Sequence, residues 1–420
     1  MKKSESIISD NVIISLLLGI AFSLFFFCVS ARMMLNHSSL NYSFNLMYIF
    51  FAMVTIVFLL VRENIDIVVT LMSVAFLGVV LITLAIGPNK FIFNTFVVIA
   101  TIFLPFMMTA IKLPESTFEY FLGKFIKGTN IFCFILVGIG IVDYLSGAAI
   151  QIFFARHQIF EADQARLVLL EHAQGIYRYY SFFGGPLANA WYLLAFYALN
   201  ILYNRYCQVL LNEYLVAGIT LVGLILSGSR SALIIGLFMF VFLNNRKHKI
   251  VFVFVMSLIS FGLAMTPVFQ KNLLQRFLIG KTTGNFSEGR NEALIRVLDS
   301  FVKPPAFFTG GSLGYSRQIT LLMGDFINSF EYPILMYPYD FGILGTILIY
   351  MIILVIPTII CLKNKSYFLL VFFLAISLYL NGFNAIANFN DDLGQFCFFI
   401  MVTVNMSYLI RRKREEGEET

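Results

Sequence analysis

Of 420 residues, 59% are hydrophobic and only 12% charged, and the mean hydropathy is +0.85. Soluble domains carry about a quarter charged residues, so a soluble globular fold is excluded and solvent-exposed parts reduce to loops. The net charge of +6 does not point to nucleic acid, because the basic residues sit mostly in short connections between apolar runs, where membrane topology accounts for them.

The chain begins Met1-Lys2-Lys3 and soon turns apolar, as a signal peptide does. The run to Ser30 is longer than an h-region and further spans follow, so the spacing predicts an uncleaved first helix. Apolar windows of membrane-crossing length, roughly 20 residues, then recur to the end of the chain. They predict spans near 12–31, 44–61, 66–86, 91–111, 129–149, 186–203, 208–226, 231–244, 249–266, 340–361, 366–384 and 393–410. The stretch from 208 to 244 is split at Ser227-Gly228-Ser229-Arg230, since a mid-membrane arginine is costly and a Gly/Ser turn is a natural break.

The expected fold is therefore all-α: a polytopic integral membrane protein of about twelve transmembrane helices. Residues 1–266 hold the first nine, with an outer loop at about 150–185. Residues 267–339 form a large extracytoplasmic loop containing an amphipathic helix, 340–410 the last three helices, and 411–420 a disordered cytoplasmic tail. More than half of the basic residues fall on the side of the two termini, which makes both termini cytoplasmic and puts the long loops outside. The five cysteines form no C-x-x-C pair and the four histidines no metal-binding spacing, so neither a disulfide framework nor a metal site is expected.

Two arginines stand out. Arg230, in Ser227-Gly228-Ser229-Arg230-Ser231, falls at a helix N-terminus, where free N–H groups and the dipole already favour an anion. A guanidinium fork suits phosphate, although an interfacial arginine that snorkels to headgroups fits the same position. In the stretch from Ser287 to Phe301, helical spacing puts Leu294, Val297, Leu298 and Phe301 on one face and Glu288, Glu292, Arg296 and Asp299 opposite. Arg290 falls in line with the apolar face. It either meets an anion or bends from the first turn into water.

Lys303-Pro304-Pro305 ends that helix, and Gly310-Gly311-Ser312-Leu313-Gly314 permits a tight turn or close backbone approach. Arg156, Arg166 and Arg178 in the first outer loop, with Arg276 and Arg317 in the second, either contact substrate or pair with carboxylates such as Glu161, Asp163 and Glu171. Tyr177, Tyr179, Tyr180 and Trp191 suit stacking on sugar rings or an aromatic belt at the membrane surface.

In order, these elements are a Ser-Arg at a span start, another span, and a long outer loop with Gly289-Arg290, Lys303-Pro304-Pro305 and Gly310-Gly311-x-x-Gly314. A span entered through Asp340-Phe341-Gly342-Ile343-Leu344-Gly345 follows. The order resembles the O-antigen polymerase and O-antigen ligase superfamily of bacterial envelope enzymes, over about 224–360. The resemblance implies glycosyl transfer from an undecaprenyl-pyrophosphate-linked glycan on the outer side of the bacterial inner membrane, without cofactor, metal or nucleotide sugar. It implies that Arg230 and Arg290 hold the lipid pyrophosphate, with Ser229, Arg166, Arg178, Arg296, Arg317 and Asp325 as substrate contacts. A protein controlling chain length is an expected partner by the same analogy.

Ligases of the superfamily carry a histidine-asparagine pair ahead of the last Gly-x-x-Gly span entry. Here Glu331-Tyr332 stands near that place and no histidine follows His248. The departure favours a polymerase, with Glu331, or else Asp325, as the base; either carboxylate could instead pair with an arginine. A ligase-type transfer is the first alternative. A flippase, the next, would show repeated halves and short outer loops, and an ion-coupled transporter would carry ionisable groups within its spans.

Overall fold

The computed structural model describes residues 2–35, 45–62, 64–86, 92–245, 249–274, 278, 295–297, 299, 306–322, 332–387 and 391–417. Every regular element among them is helical. The first helix, α1 (Lys2–Ala21), continues through a π turn (Phe22–Phe26) and meets α2 (Val29–Leu35) at an 85° bend. There follow α3 (Leu46–Val61), α4 (Ile67–Ile86), and α5 (Ile92–Val98), which a π turn joins to α6 (Leu104–Thr109). Next come α7 (Glu115–Leu145), α8 (Ala149–Arg156), α9 (Ala162–Ala173), α10 (Pro186–Tyr206), α11 (Glu213–Ser227), α12 (Arg230–Phe242), α13 (Lys249–Ala264) and the short α14 (Pro267–Phe269). The chain closes with α15 (Tyr315–Leu322), α16 (Pro333–Tyr350), α17 (Ile356–Lys363), α18 (Tyr367–Asn381) and α19 (Asp391–Glu415).

Among the described residues, Ile67–Ile86, Glu115–Leu145, Pro333–Lys363 and Asp391–Glu415 are long and apolar enough to cross a membrane, and the bent α1–α2 pair passes the same test only if its two arms count as one span. Six further apolar helices are shorter, between 10 and 17 residues. Each sequence-predicted span overlaps one of the described helices. Apolar side chains such as Phe50, Leu71, Ile131, Phe254 and Leu378 stand exposed around the bundle, far more than a surface in water tolerates. Hydroxyls within these helices bond back to their own turn, Ser73 to the Val69 carbonyl and Thr220 to that of Val216, both at 2.8 Å, so they add no unsatisfied polar group. The chain is a helical membrane protein.

Contacts between helix ends sort the bundle into two faces. At one, Arg62 pairs with Asp10 at 3.0 Å, Lys112 with Asp66 at 2.8 Å and Lys413 with Glu119 at 3.2 Å, while Arg414 donates to the Asn364 and Lys365 carbonyls. At the other lie the ends of α1, α4, α7 and α11, the starts of α10, α12 and α19, the Gly342 break of α16, and the described residues around 150–185 and 306–312.

At the centre runs α19, with 94% of its apolar window buried. Side-chain amides fix it at two levels. Gln395 accepts from Trp191 Nε1 at 3.1 Å and donates to the Leu24 carbonyl, inside the π turn, at 2.8 Å. Asn405 holds the Leu113 amide and the Ile111 carbonyl, at 2.8 and 2.9 Å. Where α19 starts, Asp391 takes the Arg32 guanidinium at 2.7 Å and Asn45 Nδ2 at 3.3 Å, and Arg32 also donates to the Phe27 carbonyl at the bend. Arg32 is 5% exposed and Asp391 12%.

Three expectations are corrected. The tail is helical through Glu415, because Arg411–Glu415 and Arg412–Glu416 are i,i+4 ion pairs and Arg412 and Lys413 reach Glu115 and Glu119 on α7. Arg412, in the last turn of α19, meets Glu115 in the first turn of α7, as both helix dipoles favour, and Lys413 meets Glu119 one turn on. The fifth apolar helix starts at Glu115 rather than at 129; Lys124, which interrupts the apolar pattern, lies over the Tyr120 ring at 4.4 Å. The helix carrying the 340–361 window begins at Pro333 and is broken at Gly342, where φ is 67°.

Removing one partner of a buried ion pair strands the other. We expect Asp391→Ala to cost about 3–5 kcal/mol and Arg32→Met with Asp391→Leu to cost much less, as measured by thermal unfolding in detergent.

Candidate functional site

Two of the sequence motifs meet in space. The turn Ala306–Gly310, closed by a bond from Gly310 N to the Ala306 carbonyl at 2.7 Å, lies directly on the Gly342 break. A left-handed residue at Gly342 ends the helical ladder, and the freed groups are taken up by the turn. Ile343 N donates to the Phe307 carbonyl at 2.9 Å, Gly311 N to that of Tyr339 at 2.7 Å and Ser312 N to that of Asp340 at 2.9 Å. From α4, Thr83 Oγ1 adds a bond to the Thr309 carbonyl at 2.7 Å.

Backbone approaches backbone so closely that neither glycine admits a side chain. A Cβ on Gly310 would lie 2.4 Å from Gly342 N, and one on Gly342 2.3 Å from the Phe308 carbonyl oxygen. Both also have positive φ, so these glycines answer to conformation and to space together.

Asp340 sits inside this clasp, 1% exposed. Its Oδ1 accepts from Ser316 N at 2.7 Å, capping the first turn of α15. The same device recurs in the segment that follows α7. Asp143, fully buried near the end of α7, accepts from Ile150 N at 2.8 Å and Gln151 N at 3.1 Å, capping α8, and from Tyr177 Oη at 2.9 Å. Burial, reinforced by the Asp143 carboxylate, pushes the Tyr177 and Tyr179 phenols well above their ordinary range. Among the described residues, a carboxylate near a helix end or break thus ties each of the two long segments to the bundle. Of the two, only Asp340 belongs to a quoted motif, and nothing in its sequence neighbourhood signals Ser316 as its partner.

The Ser-Arg motif occupies the turn expected for it. Gly228, φ 64°, ends α11; Ser229 caps α12, accepting from Ala232 N at 3.4 Å; and Arg230 opens α12, partly exposed. Ser229 Oγ lies 3.3 Å from Tyr379 Oη, which donates to the Leu187 carbonyl at 3.0 Å. Tyr379 shares α18 with Asn381, whose Oδ1 accepts from Tyr350 Oη at 2.6 Å, and the Tyr350 ring packs edge-on against Tyr337 in α16. The Arg230 turn thus touches α18 at Tyr379, and α18 is bonded through Asn381 to Tyr350 of α16, about two turns beyond the Gly342 break. Sequence reasoning missed Tyr379, Asn381 and Tyr350, which sit in apolar helices without a motif.

Of the other candidates, Arg178 pairs with Glu171 at 3.0 Å, and Glu171 also accepts from Tyr180 at 3.1 Å. Arg166 is exposed on α9. Arg296 and Asp299 are exposed and Val297 is buried, as the amphipathic pattern requires. Arg317 lies within α15. Arg290, Asp325 and Glu331 lie outside the described residues. Trp191 neither stacks on sugar nor joins an interfacial belt; it is wholly buried beside Phe399 and bonded to Gln395, because an indole N–H in the core needs a partner. Among the described residues no group of histidine, cysteine and carboxylate side chains forms a metal-binding cluster.

No family model and no curated protein matches this chain.

Gly342→Ala combines positive-φ strain, about 1–3 kcal/mol, with a backbone clash. It should expose the 306–322 segment to protease. Gly175→Ala, also at positive φ but in open space, should carry the strain alone and leave that segment protected. Asp340→Ala should cost about 0.5–2 kcal/mol as a lost cap and Asp340→Asn, which keeps an acceptor, less, by the same proteolysis series.

Proposed function

We propose that this protein is a polytopic glycosyltransferase of the O-antigen polymerase type. It joins undecaprenyl-pyrophosphate-linked repeat units on the outer face of a bacterial inner membrane, crossing that membrane about twelve times with both termini in the cytoplasm. In support, the helix-end face rich in arginine and lysine is the one near both ends of the described chain, and the described parts of both long segments gather at the opposite face. The observation that carries the reading is the meeting of the motifs. The Gly310–Gly314 turn and the Asp340–Gly345 span entry form one clasp, and the Ser229–Arg230 helix start contacts α18, which is bonded to the same α16 helix through Asn381 and Tyr350.

The reaction needs an anionic leaving group stabilised and a hydroxyl activated. An acceptor sugar hydroxyl attacks the donor anomeric carbon, the bond from that carbon to the lipid pyrophosphate oxygen breaks, and the pyrophosphate leaves as the anion. Arg230, at a helix start, and Arg290 hold that charge; a fixed cation is worth most where water is partly excluded. The hydroxyl proton passes to Glu331, with Asp325 as the alternative base. Ser229 is engaged with the α12 amide and Tyr379 and positions the turn.

The test uses purified protein in detergent with its lipid-linked repeat unit and neither metal nor nucleotide sugar, products being resolved by gel. The expected result is a ladder from wild type that disappears in Arg230→Ala and Arg290→Ala, both folded as judged by unfolding temperature. Transfer of glycan to lipid A core without a ladder would replace the polymerase with a ligase, and no transfer at all would favour a flippase.

A further inference from the structure

Phe307 and Phe308, which begin the turn on the Gly342 break, are 70% and 61% exposed and lie edge-to-face at 5.1 Å. Neither is displaced for want of anchoring. The Phe307 carbonyl accepts from Ile343 N, the Thr309 carbonyl from Thr83, and both glycine backbones are in contact. Two large apolar rings are held rigidly outward by a backbone that has no freedom to fold them in.

Depth along the bundle follows from helix geometry. The twenty residues of α4 rise roughly 30 Å, the thickness of the hydrocarbon layer. Thr83, which holds the turn, is one turn short of the α4 end at Ile86, about 4–5 Å inside that limit. From the other strut, the stretch from Gly342 to Lys363 again rises roughly 30 Å. Both measures put the turn at the outer boundary of the layer. At that level the outward side chains beside it, Ile82 and Ile86 on α4 and Leu344 and Ile347 on α16, are exposed and apolar, so the rings extend a lipid-facing surface.

We propose that Phe307 and Phe308 form a wedge that inserts among the acyl chains of the outer leaflet, fixing the glycine turn at headgroup level. The inference depends on the membrane reading and is independent of glycosyl transfer. It has a consequence for any lipid-linked substrate: its pyrophosphate, also at headgroup level, would arrive at the height of the clasp.

The test is tryptophan quenching in the full-length protein reconstituted into phosphatidylcholine vesicles. Phe307→Trp and Phe308→Trp are made separately, with wild-type emission, from the buried Trp191, subtracted. The expected result is strong quenching by lipids brominated on the acyl chain and little by aqueous iodide. Leu71→Trp, on the exposed side of α4, serves as the membrane control. Iodide quenching at 307 and 308 with bromolipid quenching at 71 would overturn the wedge and leave the membrane reading intact. Protection from both quenchers would also overturn it, placing the rings against protein, such as a second copy.

Discussion

A buried amide or carbonyl freed from a helix must find a partner within the protein, and one end of this molecule is organised around meeting that requirement at Gly342. A break there releases the Tyr339 and Asp340 carbonyls and the Ile343 amide. The 306–312 turn answers all three with backbone groups of its own. Once the turn is seated, Asp340 is enclosed and free to cap α15, and Thr83 ties the assembly to α4. The spacing of the two glycine motifs thus has a mechanical meaning, since one is the cover for the gap that the other makes.

The same economy appears elsewhere. The π turn at Phe22–Phe26 and the bend at Phe27 also leave carbonyls without helical partners, and Gln395 and Arg32 take those of Leu24 and Phe27. These irregularities are met from elsewhere in the protein, by Gln395 of α19 and Arg32 of α2 here and by the backbone of the 306–312 turn at Gly342. Such groups cost most when half-satisfied, which explains why Asp391, Arg32 and Asn45 form one network rather than separate pairs.

Much of this was legible from the residues. Apolar windows located the helices, and Ser227-Gly228-Ser229-Arg230 located the break between α11 and α12, because glycine and a capping serine act through local conformation. The Arg178–Glu171 pair fell within one short segment and was anticipated as a class. What escaped were contacts between residues far apart in the chain: Arg32 with Asp391, Trp191 with Gln395, Asp340 with Ser316. A single aspartate or glutamine in an apolar helix carries no mark of its partner. The helical tail escaped for a related reason, since its order derives partly from Glu115 and Glu119 on another helix.

The proposed function requires the clasp face to be extracytoplasmic and the basic face cytoplasmic. The most direct test of that sidedness is labelling of single cysteines, in an otherwise cysteine-free chain in intact cells, with a membrane-impermeant maleimide. The positions are Gln174→Cys on the first outer segment and Glu416→Cys at the end of α19, both exposed. The expected result is modification at 174 without permeabilisation and at 416 only after it. Labelling of 416 in intact cells, with 174 protected until lysis, would contradict it and move the candidate site to the wrong side for an externally presented lipid-linked glycan.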